Sequence, residues 1–108
     1  MGKFSRTKGA TGERELCKVL SDAGFPAHRT APMQAGHVGE GYPDIHAEGL
    51  PYHIEVKRCE RVEVDRWFAE AEANAQDDVV IAYRKNGNRW RVVLDLSTFL
   101  ALNEKSRW

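Results

Sequence analysis

Three polar residues near the middle of the chain, Asp44, Glu55 and Lys57, combine side chains that can hydrolyse a phosphate ester. Two carboxylates a few ångströms apart repel each other when both are charged, and a divalent cation relieves that repulsion. Magnesium binds a few carboxylates and keeps several waters, which places water beside a bound phosphate. The metal lowers the pKa of such a water. A lysine can then orient the nucleophile or stabilise the charge that develops on phosphorus.

The pattern around these residues explains how they would meet. The segment 52–58 alternates between apolar and polar residues, so Glu55 and Lys57 share one face of a predicted strand. Asp44 opens a short predicted strand, and the turn at 49–51 would pair the two strands. We therefore expect Asp44 to join Glu55 and Lys57 on one face. The alternative is a cross-strand salt-bridge cluster on a solvated face.

An upstream glutamate is a candidate fourth member of this group. Thr11 can cap a helix whose first turn contains Glu13. Apolar residues recur at helical spacing until Gly24, a natural stop. From this helix Glu13 can reach a metal directly or through water, and Arg14 beside it can hold a phosphate. The alternative is that Glu13 only complements the helix dipole.

The remaining pattern predicts a mixed sheet with helices against it, an α/β or α+β layer design in the order αβββαββα. Strands are predicted at 25–30, 44–47, 52–58, 78–84 and 90–94, and helices at 11–23, at 64–75 and from a cap at Ser97. The continuous apolar run at 79–82 suits a central strand, and Asn86-Gly87 predicts a hairpin. The glycine-bearing segment 31–43 is predicted to be a loop.

The composition fits a single domain over residues 1–108, with 42% hydrophobic and 30% charged residues. The net charge is zero, but residues 1–10, interpreted as a flexible basic arm, and residues 84–91 contain bases and no acid. Basic flanks around an acidic centre suit a protein that grips phosphates and holds a cation. Lys8, Arg84 and Lys85 are therefore candidate phosphate contacts. The alternative is ordinary solvated surface charge.

Other classes of site are disfavoured. The two cysteines do not make a disulfide framework, and no pair among the four histidines has helical zinc-ligand spacing. His46 falls on the predicted face of Asp44 and His53 on that of Glu55, so either can touch the site. No segment is long enough to span a membrane and no signal peptide core is present, so we expect an intracellular protein.

Taken together, the sequence motifs of this chain resemble those of a known family. They are similar to the PD-(D/E)XK nuclease superfamily, and within it to Holliday junction resolvase-like endonucleases of archaea, phages and prophages. The resemblance covers about residues 5–102. It rests on Gly12-Glu13-Arg14-Glu15-Leu16, Gly24-Phe25, Arg29, Pro43-Asp44-Ile45 and Ile54-Glu55-Val56-Lys57, and, for phage-type members, on Ala71-Glu72-Ala73 and Tyr83-Arg84-Lys85-Asn86.

The resemblance implies a restriction-endonuclease-like core and a metal-dependent endonuclease that cuts branched DNA such as Holliday junctions, often as a homodimer making paired nicks. It implies a cytoplasmic protein of a bacterium or a phage-infected host. Asp44 and Glu55 would bind Mg²⁺ or Mn²⁺ with the backbone carbonyl of Val56. Lys57 would be the catalytic lysine. Glu13 would be the helix carboxylate, and the predicted DNA contacts would include Arg14 and Arg29.

The sequence leaves open the role of one residue and two alternative functions. Related proteins often carry Gln just before the Ala-Glu-Ala stretch, where this chain has Glu70, so the role of that position is undecided. A restriction- or repair-type nuclease acting on linear duplex fits the same residues. A non-catalytic DNA-binding module with a nuclease-like fold is the second alternative, against which the intact Asp44, Glu55 and Lys57 argue.

Overall fold

The computed structural model describes residues 2–30 and 42–105. Within these ranges the chain forms three helices and five strands, and the predicted order αβββαββα is confirmed. The elements are α1 (Gly2–Asp22), β1 (Ala27–Arg29), β2 (Ile45–Ala47), β3 (His53–Arg58), α2 (Val64–Glu72), β4 (Val79–Arg84), β5 (Arg91–Leu94) and α3 (Leu96–Lys105).

The strands form one mixed sheet in the order β1-β2-β3-β4-β5. Neighbours are antiparallel except β3 and β4, which run parallel with Glu55 opposite Ile81. Parallel neighbours need a crossover connection, and α2 supplies it. The apolar run at 79–82 lies in β4 between β3 and β5, so its prediction as a central strand is confirmed.

Helices cover both faces of the sheet. The face beneath α1 contains the buried cluster Leu16, Cys17, Ile45, Ala47, Ile54, Val56 and Ala82. The face beneath α2 contains Trp67, Ala71, Val79 and Ile81, with Phe68 and Ala75 packed against them. Because side chains alternate along a strand, Ile54 and Val56 face α1, whereas Glu55 and Lys57 face α2. The sheet therefore presents the acid and the lysine on the side away from α1.

The first helix is longer than the sequence predicts. α1 begins at Gly2, so the predicted cap at Thr11 is wrong. Residues 2–10 belong to this helix, and their interpretation as a flexible arm is also wrong. No proline interrupts residues 2–22, so nothing in this segment prevents a continuous helix. A helical glycine is also tolerated where its missing side chain makes room for a neighbour, and Gly12 lies against Arg58.

Smaller boundary differences have local causes. α3 begins at Leu96, directly after Asp95, whose carbonyl accepts the Phe99 N–H at 3.1 Å, so Ser97 lies inside the helix and does not cap it. β1 is shorter than predicted. Gly24, which precedes it, has a φ of +102°, a left-handed conformation that turns the chain after α1. Most of the predicted loop at 31–43, residues 31–41, lies outside the described part.

Neither Cys17 nor Cys59 is in a disulfide. Among residues 2–30 and 42–105, no helix combines the length and the apolar character needed to cross a membrane. The predicted cellular location stays a prediction.

Candidate active site

The carboxylate of Asp44 is fixed by the backbone of β3. Asp44 precedes β2, and its N–H donates to the Ile54 carbonyl at 3.0 Å. Its Oδ2 accepts the Val56 N–H at 2.8 Å. Ile45 pairs with Ile54 just beyond this point. The hairpin that the turn at 49–51 predicts thus places Asp44 directly beside the strand that carries Glu55.

Glu55 is held by a neighbour on its own face of β3. His53 Nε2 and Glu55 Oε1 are hydrogen-bonded at 2.7 Å, and the His53 side chain is buried. Burial lowers the pKa of His53, partly opposed by the charges of Asp44 and Asp77. The predicted contact of His53 with the site is confirmed. His46 instead is exposed and stacks at a tilt on His28, with ring centroids 5.4 Å apart.

Asp44 and Glu55 compete for one proton. The pKa of Asp44 is raised to about 7, first by burial and then by the charge and hydrogen bond of Glu55, against the lowering effects of the Val56 N–H and Lys57. Burial also raises the pKa of Glu55, opposed by its hydrogen bond to Asp44 and by Lys57. A hydrogen bond between two carboxyl groups needs a proton between them. A cation in that position would relieve the same repulsion.

Lys57 lies between this acidic pair and α2. Its Nζ is 5.9 Å from the centroid of the Trp67 ring, and Trp67 is buried in the core beneath α2. A cation at this distance is attracted to the face of an indole ring. Nothing in the spacing of Trp67 in the sequence marks it as the neighbour of Lys57.

Glu13 also reaches the acidic group, although not from the first turn of its helix. It lies well inside α1, so an effect on the dipole at the helix start does not account for it. Its Oε1 accepts the Arg29 Nε–H at 2.8 Å. Burial raises the pKa of Glu13, Arg29 lowers it, and the charge of Asp44 raises it. We call Glu13, Asp44 and Glu55 the acidic cluster.

Glu70, where relatives often carry Gln, lies on the exposed surface of α2. Its charge raises the pKa of Glu55, which places it near the edge of the acidic cluster. Arg66 Nη1 lies 3.6 Å from Glu70 Oε2. Glu70 is therefore a peripheral acid with its own counter-charge.

The predicted DNA contacts occupy several parts of the surface. Arg14 is exposed and Arg29 is bound to Glu13. Arg84 pairs with Glu15 through Nη2 and Oε1 at 3.2 Å, and Lys85, which follows it, is half-buried. The side chain of Lys8 lies outside the described part. The contact of Arg84 with Glu15 could not be read from the sequence, because the two residues are 69 positions apart.

The acidic cluster fits a metal ion that binds with few protein ligands. Among residues 2–30 and 42–105, no three His, Cys, Asp or Glu side chains are arranged as a metal-holding group. Magnesium, however, commonly uses one or two carboxylates and retains its waters. Asp44 and Glu55 supply such oxygen donors, and burial together with the charge of Glu55 raises the pKa of Asp44 to about 7.

Comparisons with known proteins agree with this geometry. A sequence model of the family described as archaeal Holliday junction resolvase (Hjc) matches residues 4–105. Among solved structures, Archaeoglobus fulgidus Hjc, a Holliday junction resolvase from an archaeal hyperthermophile, matches with a TM-score of 0.54 and 27% identity over 76% of this chain and 72% of that one. A search of curated protein sequences gives no match.

Three predictions made from the sequence are thereby confirmed: the family, the nuclease-like α/β fold and the class of activity, DNA endonuclease cleavage of Holliday junctions. The matched family and the matched structure are both resolvases, and the five-stranded mixed sheet with its helices is the fold they share with this protein. The chain belongs to the archaeal Holliday junction resolvase family, Hjc.

Proposed function

We propose that this protein resolves branched DNA by hydrolysing phosphodiesters with Mg²⁺ or Mn²⁺ bound at the acidic cluster. One observation carries the proposal. Asp44 and Glu55 lie together in a largely buried position, where the pKa of Asp44 is raised to about 7. Two acids kept in such a position destabilise the fold when both are charged, and a divalent cation turns that cost into a binding site.

Each residue of the site has a proposed role. Asp44 and Glu55 would hold the metal, joined by the backbone carbonyl of Val56. When bound, the ion would supply positive charge near the scissile phosphate and lower the pKa of a nearby water. The Val56 N–H fixes one oxygen of Asp44 at 2.8 Å, and His53 fixes one oxygen of Glu55 at 2.7 Å.

Lys57 and Glu13 complete the proposed catalytic group. Lys57 orients the attacking water or stabilises charge on the phosphate, and the Trp67 ring, 5.9 Å from its Nζ, limits where the ammonium can lie. Glu13 acts from α1 on the side nearer Asp44, directly or through water. Arg29 keeps its carboxylate in place at 2.8 Å.

The bases around the acidic cluster are proposed to bind the DNA backbone. Arg14 is exposed next to Glu13, and Arg29 keeps part of its surface open while it holds Glu13. Lys85 extends the basic segment of the β4–β5 hairpin, together with the exposed Arg89. Lys8 and Arg84 are the remaining proposed contacts. Phosphate contacts of this kind give affinity without sequence preference, which suits a nuclease that recognises the shape of DNA.

A homodimer is the proposed assembly, because one side of the molecule exposes an apolar surface. Val92 on β5 and Leu96 at the start of α3 are 61% and 70% exposed, and Phe99, Leu100 and Leu102 are also exposed. An apolar groove beside them is lined by Leu16, Leu20, Leu50, Tyr52, Ile54, Val80, Ala82, Val92, Leu94 and Leu102. Contiguous apolar patches usually mark an interface. Cutting two opposed strands of a junction also calls for two sites.

The dimer is tested by sedimentation of the wild type and of a Leu96→Lys, Phe99→Lys double variant at micromolar concentration. We expect a dimer for the wild type and a folded monomer for the variant, because a lysine buried at an apolar interface is strongly disfavoured. Lys18→Met, on an exposed part of α1, is the control. A monomeric wild type would contradict the proposed assembly.

The activity is tested with four-way, flap and linear duplex DNA in Mg²⁺, with Glu55→Ala as the negative control. We expect paired nicks in the four-way junction and little cutting of linear duplex. Preferential cutting of linear duplex would favour a restriction- or repair-type nuclease. No cutting of any substrate in Mg²⁺ or Mn²⁺ would favour a DNA-binding module.

A further inference from the structure

A second charged cluster lies on the opposite face of β3 from Lys57, next to it in the sequence. The Arg58 side chain is only 10% exposed, and its Nη1 donates to Glu15 Oε2 at 3.1 Å. Its Nη2 donates to Asn86 Oδ1 in the β4–β5 hairpin. Arg84 donates to the same Glu15. We call Gly12, Glu15, Arg58, Arg84 and Asn86 the Arg58 clamp.

Gly12 is the point where α1 touches the stem of Arg58. A Cβ built on Gly12 would lie 2.4 Å from Arg58 Cγ and 3.4 Å from Arg58 Cβ. The Cγ is near the root of the side chain and cannot swing aside as a guanidinium can. A Cβ built on Gly9, in the same helix, meets nothing within 4 Å. Gly12 therefore serves the approach of α1 to β3.

Ion pairs hold α1 on two different sides, one at Glu13 of the acidic cluster and one at Glu15 of the clamp. Residues two apart in an α-helix point about 200° away from each other around the axis. Accordingly Glu13 bonds Arg29 on β1, whereas Glu15 bonds arginines on β3 and β4. Two ion pairs on opposite sides of a helix fix its rotation about its own axis. That rotation decides where the carboxylate of Glu13 lies relative to Asp44.

Stability alone does not explain Arg58. Its Nε is buried and, within the described part of the chain, has no hydrogen-bond partner. Buried ion pairs contribute little or nothing to stability compared with apolar side chains of similar size, and an unsatisfied buried N–H adds a cost. An arginine retained under these conditions points to a positional role.

We infer that Arg58 is a positioning residue, which sets the rotation of α1 through Gly12 and Glu15 and so holds Glu13 beside Asp44 and Glu55. The inference rests on the proposed nuclease function. It adds Gly12, Glu15 and Arg58, none of which is proposed to touch the metal or the DNA. Because β3 carries Glu55 and Lys57 as well as Arg58, the clamp fixes the position of Glu13 on α1 relative to Glu55 and Lys57.

Two glycines of one helix provide a matched test. Gly12→Ala and Gly9→Ala both raise helix propensity equally, but only Gly12→Ala meets Arg58. For each variant we would measure kcat and KM on a four-way junction, thermal unfolding, and the affinity for Mg²⁺ alone by calorimetry. We expect Gly12→Ala to lower kcat or Mg²⁺ affinity on the order of ten- to a hundredfold, with little change in KM. Gly9→Ala should match the wild type.

Arg58→Met and Glu15→Gln keep the inference testable if Gly12→Ala does not fold. Both should lower kcat in the same direction, Arg58→Lys should recover part of it, and Lys18→Met should leave it unchanged. For Arg58→Met, Glu15 keeps Arg84 as a partner, so we expect a loss of kcat at temperatures where the variant is fully folded, which separates positioning from a merely structural role. A folded Gly12→Ala or Arg58→Met with wild-type kcat and Mg²⁺ affinity would overturn the inference.

The outcomes also separate this inference from the proposed function. If the wild type cuts DNA and the clamp variants cut equally well, the function stands and the inference falls. If the wild type cuts nothing, the proposed function falls, and equal Mg²⁺ affinity in Gly9→Ala and Gly12→Ala then removes the inference as well. A wild type that neither cuts nor binds Mg²⁺ removes both.

Discussion

Two charged clusters share β3 and are balanced in opposite ways. The acidic cluster brings Glu13, Asp44 and Glu55 together, and burial raises the pKa of each. The Arg58 clamp instead gives the single carboxylate of Glu15 two guanidinium partners. The clamp pairs its acid with two bases, whereas in the acidic cluster burial and like charge raise the pKa of Asp44 to about 7, so that a cation would fit there. The difference separates a region built to hold its shape from one built to receive a ligand.

The sharpest way to break this comparison is to neutralise one acid in each cluster. Asp44→Asn should lower the cleavage rate on the order of a thousandfold, since it removes a metal ligand. Glu15→Gln should lower it on the order of tenfold, since it acts only through position. Single-turnover cleavage of a four-way junction measures both rates. Equal losses in the two variants would mean that the clusters do not differ in this way.

The second prediction concerns stability and pH without metal. The pKa of Asp44 is about 7 in the folded protein and 3.8 ordinarily, so between these values the folded state binds the extra proton. Asp44 thus contributes stability that is full below about pH 4 and lost as pH rises through 7. The slope from this group is at most about 1.4 kcal/mol per pH unit.

Urea unfolding in a chelating buffer at pH 5, 6, 7 and 8 measures that slope. Asp44→Asn should flatten it and be more stable than the wild type at pH 8. Glu13 and Glu55, whose pKa values are also raised, act in the same direction, whereas His53, whose pKa is lowered, adds stability as pH rises and opposes them. A wild type that gains stability from pH 5 to pH 8 would refute the prediction.

The third and smallest prediction concerns metal binding. Mg²⁺ at roughly 100 times its Kd should raise the free energy of unfolding by about 2.7 kcal/mol, if it binds only the folded state. The rise should vanish in Asp44→Asn. In Arg58→Met the rise should persist but require a higher Mg²⁺ concentration, because no residue of the clamp is a proposed metal ligand. Thermal unfolding across a Mg²⁺ titration at pH 8 gives both curves, and a rise retained in Asp44→Asn would place the ion elsewhere.

Local patterns predicted the frame of this protein well. The alternation in 52–58 placed Glu55 and Lys57 on one face, and the turn at 49–51, with Gly49 at a φ of +89°, brought Asp44 beside them. Such signals work because strand alternation and tight turns depend on residues close in sequence. The resemblance to a family then supplied the substrate class.

The sequence did not predict the contacts that depend on distant residues. Arg58 and Glu15 are 43 positions apart, and no periodicity relates them. Nor does the sequence reveal that the missing side chain of Gly12 makes room for Arg58. Propensity describes a glycine against its own helix, but here tertiary packing decides its role. His53 was foreseen only because it shares the face of Glu55.

The contact between Gly12 and Arg58 makes the fate of one mutation depend on another. With arginine at position 58, any Cβ at position 12 meets the side-chain stem at 2.4 Å. Only a residue without any γ atom, alanine or glycine, frees that space. An evolving lineage could therefore acquire a side chain at position 12 only after losing the arginine. The two positions form an epistatic pair in which the order of substitutions decides which intermediates survive.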